Sequence, residues 1–128
     1  LPLLINGKLF WFLHQGAGPG KGANSGDSLR NWLKAKYWEL LEEEETIPDF
    51  IISGHYHMPI YTAYVRERKT IHGMILPPFQ FKTRFGFKVA AAEKDKVGIW
   101  PIDITSQGDI LVQERIKMPK QDNTEVVK

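Results

Sequence analysis

The sequence contains no cysteine. Disulfides and thiolate metal sites are therefore excluded, and any metal has to be held by His, Asp, Glu or Asn. The same absence suits a reducing compartment, so a cytoplasmic location is expected. No apolar run approaches the roughly 18 residues of a membrane-spanning helix, and no membrane partner is expected. The opening Leu1-Pro2-Leu3-Leu4-Ile5 is too short for a secretory signal and has no basic leader. The formal net charge is only +2, too little by itself to argue for a nucleic-acid partner. There is no initiating Met, and the chain starts inside an apolar run, as a piece cut from something longer would. Neither an internal repeat nor a second domain is visible. What remains is ordinary for a globular domain: 128 residues, 42% hydrophobic and 25% charged, enough for one modest core. Residues 1–118 read as that domain, and 119–128 as a disordered polar tail.

The stretch that organises the rest is Asp49-Phe50-Ile51-Ile52-Ser53-Gly54-His55-Tyr56-His57. Its short apolar run reads as a strand buried on both faces. Gly54 lets the backbone turn sharply, and two histidines follow with one residue between them. Upstream, Asn6-Gly7 between two apolar runs signals a hairpin. The second of those runs, 8–13, reads as a buried strand ending at His14. A glycine-rich loop, 15–26, follows. A phosphate-binding loop needs Ser or Thr after its lysine, but Lys21 is followed by Gly22 and the helix starts later. A loop beside a site fits better.

A helix is expected over 29–45, capped by Asp27 or Ser28. Its apolar stripe is Leu29, Trp32, Leu33, Trp38 and Leu41, widened by Tyr37 and Leu40. Glu42-Glu43-Glu44-Glu45 reads as a solvated helix end rather than a metal site, because adjacent carboxylates on a helix face different sides. Beyond His57 the pattern turns to strands. Those at 60–65 and 70–76 flank a charged tip, Arg66-Glu67-Arg68-Lys69. His72 reads as a satisfied strand histidine. From 79 to 88, phenylalanines interleave with basic residues, which describes an antiparallel strand with one buried face better than a base-stacking surface. Strands at 85–92, 98–104 and 110–117, with turns at 93–96 and 106–109, complete the series. The fold class is thus α/β with an α+β leaning: a β-α-β unit followed by antiparallel strands.

His14 and His55 share a context. Each ends a buried strand, and one helix joins the two strands, so the strands are expected to be parallel neighbours. Ligands of such sheets bind at the carboxyl ends of the strands. His14, His55 and His57 are therefore expected at one rim, where neutral imidazoles suit Zn, Mn, Fe or Ni. Strand-His14, a helix, then strand-Gly54-His55-Tyr56-His57 resembles the last two motifs of the calcineurin-like metallophosphoesterases. The resemblance covers nearly the whole chain, as the C-terminal half of the usual domain.

That resemblance implies a fold: the C-terminal half of a four-layer sandwich, two mixed sheets between helices. It implies two divalent ions, Mn, Fe, Zn or Ni, with His14 and His55 on one and His57 on the other. It implies hydrolysis of a phosphomonoester or phosphodiester, small molecule or nucleic acid, by in-line attack on phosphorus. Tyr56, between the ligands, would line the pocket, and Arg84 would meet the substrate phosphate. The family's early motifs, Asp-x-His, Gly-Asp and Gly-Asn-His-Asp/Glu, have no counterpart here; Gly108-Asp109 comes late, in a turn. Three imidazoles without a carboxylate cannot neutralise two neighbouring dications. This chain alone is expected to hold at most one ion, weakly, and to be inactive without a missing N-terminal half. Sheet edges left bare by that half would favour a homo-oligomer. The rival reading is a non-catalytic β-rich binding or scaffold module whose histidines are incidental.

Overall fold

The chain begins as a hairpin. In the computed structural model, which describes residues 1–56, 58–77 and 98–117, strands β1 (Pro2–Ile5) and β2 (Lys8–Leu13) pair antiparallel. The turn between them needs two consecutive left-handed residues, and Asn6 (φ 48°) and Gly7 (φ 79°) supply them. Helix α1 (Asp27–Glu42) then crosses one face of the sheet, and β3 (Phe50–Ser53) returns parallel to β2. Strands β4 (Ile60–Arg66) and β5 (Lys69–Ile75) form a second hairpin, in which β5 lies parallel to β3. The resulting five-stranded sheet runs β1-β2-β3-β5-β4. Its three inner strands are parallel, and Leu13, Ser53 and Ile75 stand in one row at their carboxyl ends. The fold is mixed α/β, mostly strand, with one α-helix among the described residues.

Strand β3 is the centre of this sheet, and every one of its residues is buried. That is what a continuous Phe-Ile-Ile-Ser run in a parallel sheet requires, since both faces are covered. Ile51 packs with Leu33 and Tyr37 of α1 and with Tyr64 and Ile71. Phe50 and Ile52 point the other way, into a cluster with Phe10 and Met74. That second face is covered by a hairpin of β7 (Ile102–Ile104) and β8 (Ile110–Val112). Each fully buried aliphatic or aromatic side chain of this kind contributes about 1.5–3 kcal/mol. Gly73 allows α1 its close approach, because a Cβ there would sit 2.7 Å from Leu33 Cδ1.

The helix departs from the sequence expectation at both ends and in its stripe. Its N-cap is Gly26, at φ 94° with no side-chain cap, so Asp27 and Ser28 lie inside the first turn. Its buried residues are Leu29, Leu33, Tyr37 and Leu40, whereas Trp38 and Leu41 are 38% and 45% exposed. A helix lying on a twisted sheet buries one narrow row, and Trp38 instead stacks under the Arg66 guanidinium at 5.0 Å. The helix stops before Glu45. Glu45 donates to the Leu40 carbonyl and Glu44 to that of Leu41, which closes a Schellman cap with Glu44 at φ 55°.

The strands expected at 98–104 and 110–117 are each split in two. Strand β6 (Gly98–Ile99) pairs with β9 (Ile116–Lys117), and β7 pairs with β8. Between the two ladders Trp100 and Pro101 oppose Gln113, Glu114 and Arg115, a bulge of one residue. Pro101 has no N–H to donate and accepts from the Gln113 amide at 3.0 Å. The expected strands and turn at 79–96, Arg84 and the tail at 119–128 lie outside the described residues. Among the described residues no helix is long and apolar enough to cross a membrane.

Candidate metal centre

His14 follows β2 and His55 follows β3 by two residues. Because β2 and β3 are parallel and in register, their chains leave the sheet side by side. The Gly54 amide lies 3.3 Å from the carbonyls of both Leu13 and His14, and this ties the two exits together. The imidazole centroids of His14 and His55 are 5.4 Å apart, with the rings inclined by 64°. Two imidazoles bound to one tetrahedral ion, with nitrogens about 2.0–2.1 Å from it, have ring centres roughly 5 Å apart. The pair is thus spaced as two ligands of one ion are, and both side chains are exposed.

His55 sits in a costly conformation. Its φ is 73°, and the Tyr56 amide donates to the Gly54 carbonyl at 2.9 Å across it. This is the rare γ-turn of positive φ. A residue with a Cβ held there costs about 1–3 kcal/mol, and such strain gathers at functional sites. The buried strand and the Gly54 tie hold the turn in place.

Tyr56 is half-buried beside it. Its hydroxyl accepts a hydrogen bond from Gln15 Nε2 at 2.9 Å, and its ring stands edge-on to His55 at 5.0 Å. The glycine-rich loop lies against the same ring. A Cβ on Gly18 would meet the Tyr56 hydroxyl at 3.8 Å, and one on Gly16 would meet the buried Ser53 at 3.5 Å. The loop's C-terminal part closes on itself. The amides of Asn24, Ser25 and Gly26 donate to the loop's own carbonyls at Lys21, Gly22 and Pro19.

Other titratable groups collect at the opposite end of the sheet. Asp49 precedes β3, accepts from the Leu9 amide at 2.8 Å, and pairs with Lys69 at 2.7 Å. Burial alone pushes its carboxyl up, but the Lys69 ammonium and the Leu9 amide outweigh it and hold it below its usual value. His72 shares a 2.5 Å hydrogen bond between Nδ1 and the Tyr61 hydroxyl, and it stacks on Phe50. Burial lowers the His72 pKa, against a partial pull upward from Asp49. Burial also raises the Tyr61 phenol. His72 is a satisfied, half-buried strand histidine, as its strand pattern suggests. Of the four glutamates, Glu42 ends α1, and Glu43, Glu44 and Glu45 follow it in the link to β3.

His57 and Arg84 lie outside the described residues. Among the described residues no group of three His, Cys, Asp or Glu side chains is placed to hold a metal. Of the three expected ligands, the described residues therefore bring together two, His14 and His55. Sequence reasoning missed Gln15. Its position directly after His14 was the one available signal, and a side-chain amide on a phenol forty-one positions away leaves no local pattern. Comparison with protein-family models, with curated proteins and with solved structures finds no match to this chain.

Proposed function

We propose that this chain is the C-terminal part of a calcineurin-like metallophosphoesterase domain that hydrolyses phosphomonoesters or phosphodiesters. The observation that carries the reading is the His14–His55 pair, 5.4 Å apart at the carboxyl ends of two parallel neighbours. The strained turn at His55 supports it, since such strain gathers at functional sites. So does the order strand-His14, helix, strand-Gly54-His55-Tyr56-His57. In this proposal the sheet and α1 belong to half of a four-layer sandwich.

His14 and His55 would hold one divalent ion, and His57 would share in holding a second. Bound ions of this kind supply Lewis acidity toward a phosphate ester and lower the pKa of water. The chain's own contributions are otherwise positional. Gly54 sets the turn, His14 and His55 supply two imidazoles as ligands, and Tyr56 walls one side. Arg84 is assigned to the substrate phosphate. The donor set lacks carboxylates, so the proposal draws them from a segment outside these residues and expects no turnover from this chain alone. It also assigns the domain to the cytoplasm, in keeping with the lack of cysteine.

The test is Mn²⁺-dependent cleavage of bis-p-nitrophenyl phosphate by the protein that joins this chain to its carboxylate-bearing segment. His14→Ala and His55→Ala are each expected to lower the rate at least a hundredfold. An unchanged rate in His55→Ala refutes the proposal and favours a non-catalytic binding module.

A further inference from the structure

We infer that Gln15 and Tyr56 are positioning residues for His55, acting as a cross-link that fixes the spacing of the two histidines. The inference rests on the reading of His14 and His55 as a metal pair. It assigns Tyr56 a role other than contact with a substrate.

The geometry forms a closed circuit. Gln15 is covalently next to His14, and Tyr56 is covalently next to His55. One hydrogen bond, Gln15 Nε2 to the Tyr56 hydroxyl at 2.9 Å, joins the two segments one residue beyond the histidines. On the sheet side the Gly54 amide joins them again, to Leu13 and His14. The two imidazoles thus lie between two cross-ties, one on each side. The second tie is needed because the backbone at His55 is not self-sustaining. A φ of 73° at a residue with a Cβ persists only where its surroundings over-determine it. The Tyr56 ring completes the hold, edge-on at 86° and 5.0 Å to the His55 imidazole. Gly18 lies against the same phenol, where even an added Cβ would make ordinary contact at 3.8 Å. Gln15 reaches the phenol with a planar amide donor on a two-carbon stem.

A partner of a metal ligand that fixes its orientation is worth roughly ten- to a hundredfold in metal affinity. A residue that only touches substrate changes KM and leaves binding of the metal alone untouched. The test uses the full chain and Co²⁺ alone, read by its visible absorption bands and by the imidazole resonances of His14 and His55. Tyr56→Phe keeps the ring and loses the acceptor; Gln15→Ala loses the donor. Far-ultraviolet circular dichroism checks that each variant is folded. Each is expected to weaken Co²⁺ binding roughly tenfold and to alter the band shape, and the double variant to be no weaker than either single one. Wild-type affinity and spectrum in both variants, with binding lost in His14→Ala and His55→Ala, overturn the positioning role and leave the metal pair standing. Additive losses also overturn it, because a single shared bond cannot be lost twice. Unchanged Co²⁺ binding in His14→Ala and His55→Ala removes the metal reading itself.

Discussion

The two ends of the central sheet treat their polar side chains in opposite ways. At the amino end, half-buried Asp49 accepts from Lys69 and the Leu9 amide, and half-buried His72, stacked on Phe50, pairs with the hydroxyl of Tyr61, which reaches back from two rows nearer the carboxyl end. At the carboxyl end, His14 and His55 are exposed and stand together, with His55 on a strained turn. Half-buried groups must find partners or lose stability, and the amino end shows that rule obeyed. Exposed groups are under no such pressure, and the parallel register of β2 and β3 alone brings these two side by side. His72 is thus explained by its neighbours, while the proposed function gives the His14–His55 pair its meaning as ligands.

Matching truncations at the two ends give the largest contrast. Asp49→Ala removes the acceptor of both the Leu9 amide and Lys69, and is expected to cost about 2 kcal/mol in urea unfolding. The partial exposure of the ion pair keeps the loss in the low part of the range for charged groups. His14→Ala should change stability by no more than about 0.5 kcal/mol. Equal losses would erase the distinction between the ends.

Acid sharpens the same contrast. The folded-state pKa of His72 lies below its ordinary value of 6.5, so the unfolded chain binds its proton more readily. Its contribution is complete above pH 6.5 and falls away as the pH drops below that value. The folded pKa of Asp49 lies below 3.8, so its contribution is present above 3.8 and is lost as the pH falls through the folded value. Unfolding followed from neutral to acid pH should show the His72 loss first and the Asp49 loss second. His72→Gln should remove the first and leave the second.

Backbone strain gives smaller effects of one sign but two meanings. His55→Gly relieves a left-handed residue and is expected to stabilise by about 1 kcal/mol while abolishing metal binding. Glu44→Gly relieves the left-handed position of the helix cap and removes an acid from the helix C-terminus. It is expected to add about 0.5 kcal/mol and to leave metal binding unchanged. If His55→Gly destabilises, the turn at that residue is not strained in the sense argued here.

Much of the carboxyl end was legible in the sequence, and little of the amino end. The run at 50–53 reads as a parallel strand covered on both faces and is buried throughout, whereas 8–13, expected to be buried, is half-buried apart from Phe10. Gly54 and the terminal histidines followed from chain direction alone. The bonds of Asp49 to Lys69 and Leu9 and of His72 to Tyr61 join residues eleven, twenty and forty positions apart through strand register, which composition does not encode. Trp38 and Leu41 misled because periodicity allows a wider stripe than the sheet has room to cover. Gly26 capped the helix where Asp27 and Ser28 were expected, because the incoming loop needed a left-handed residue at that point.

The central claim is that His14 and His55 act on one ion as a unit. Its most direct measurement is a Zn²⁺ titration followed through the imidazole resonances of His14, His55 and His72. The expected result is that His14 and His55 shift together with one affinity, that His72 does not move, and that His14→Ala silences the response of His55. Independent shifts of His14 and His55, or a His55 response that survives His14→Ala, would contradict it.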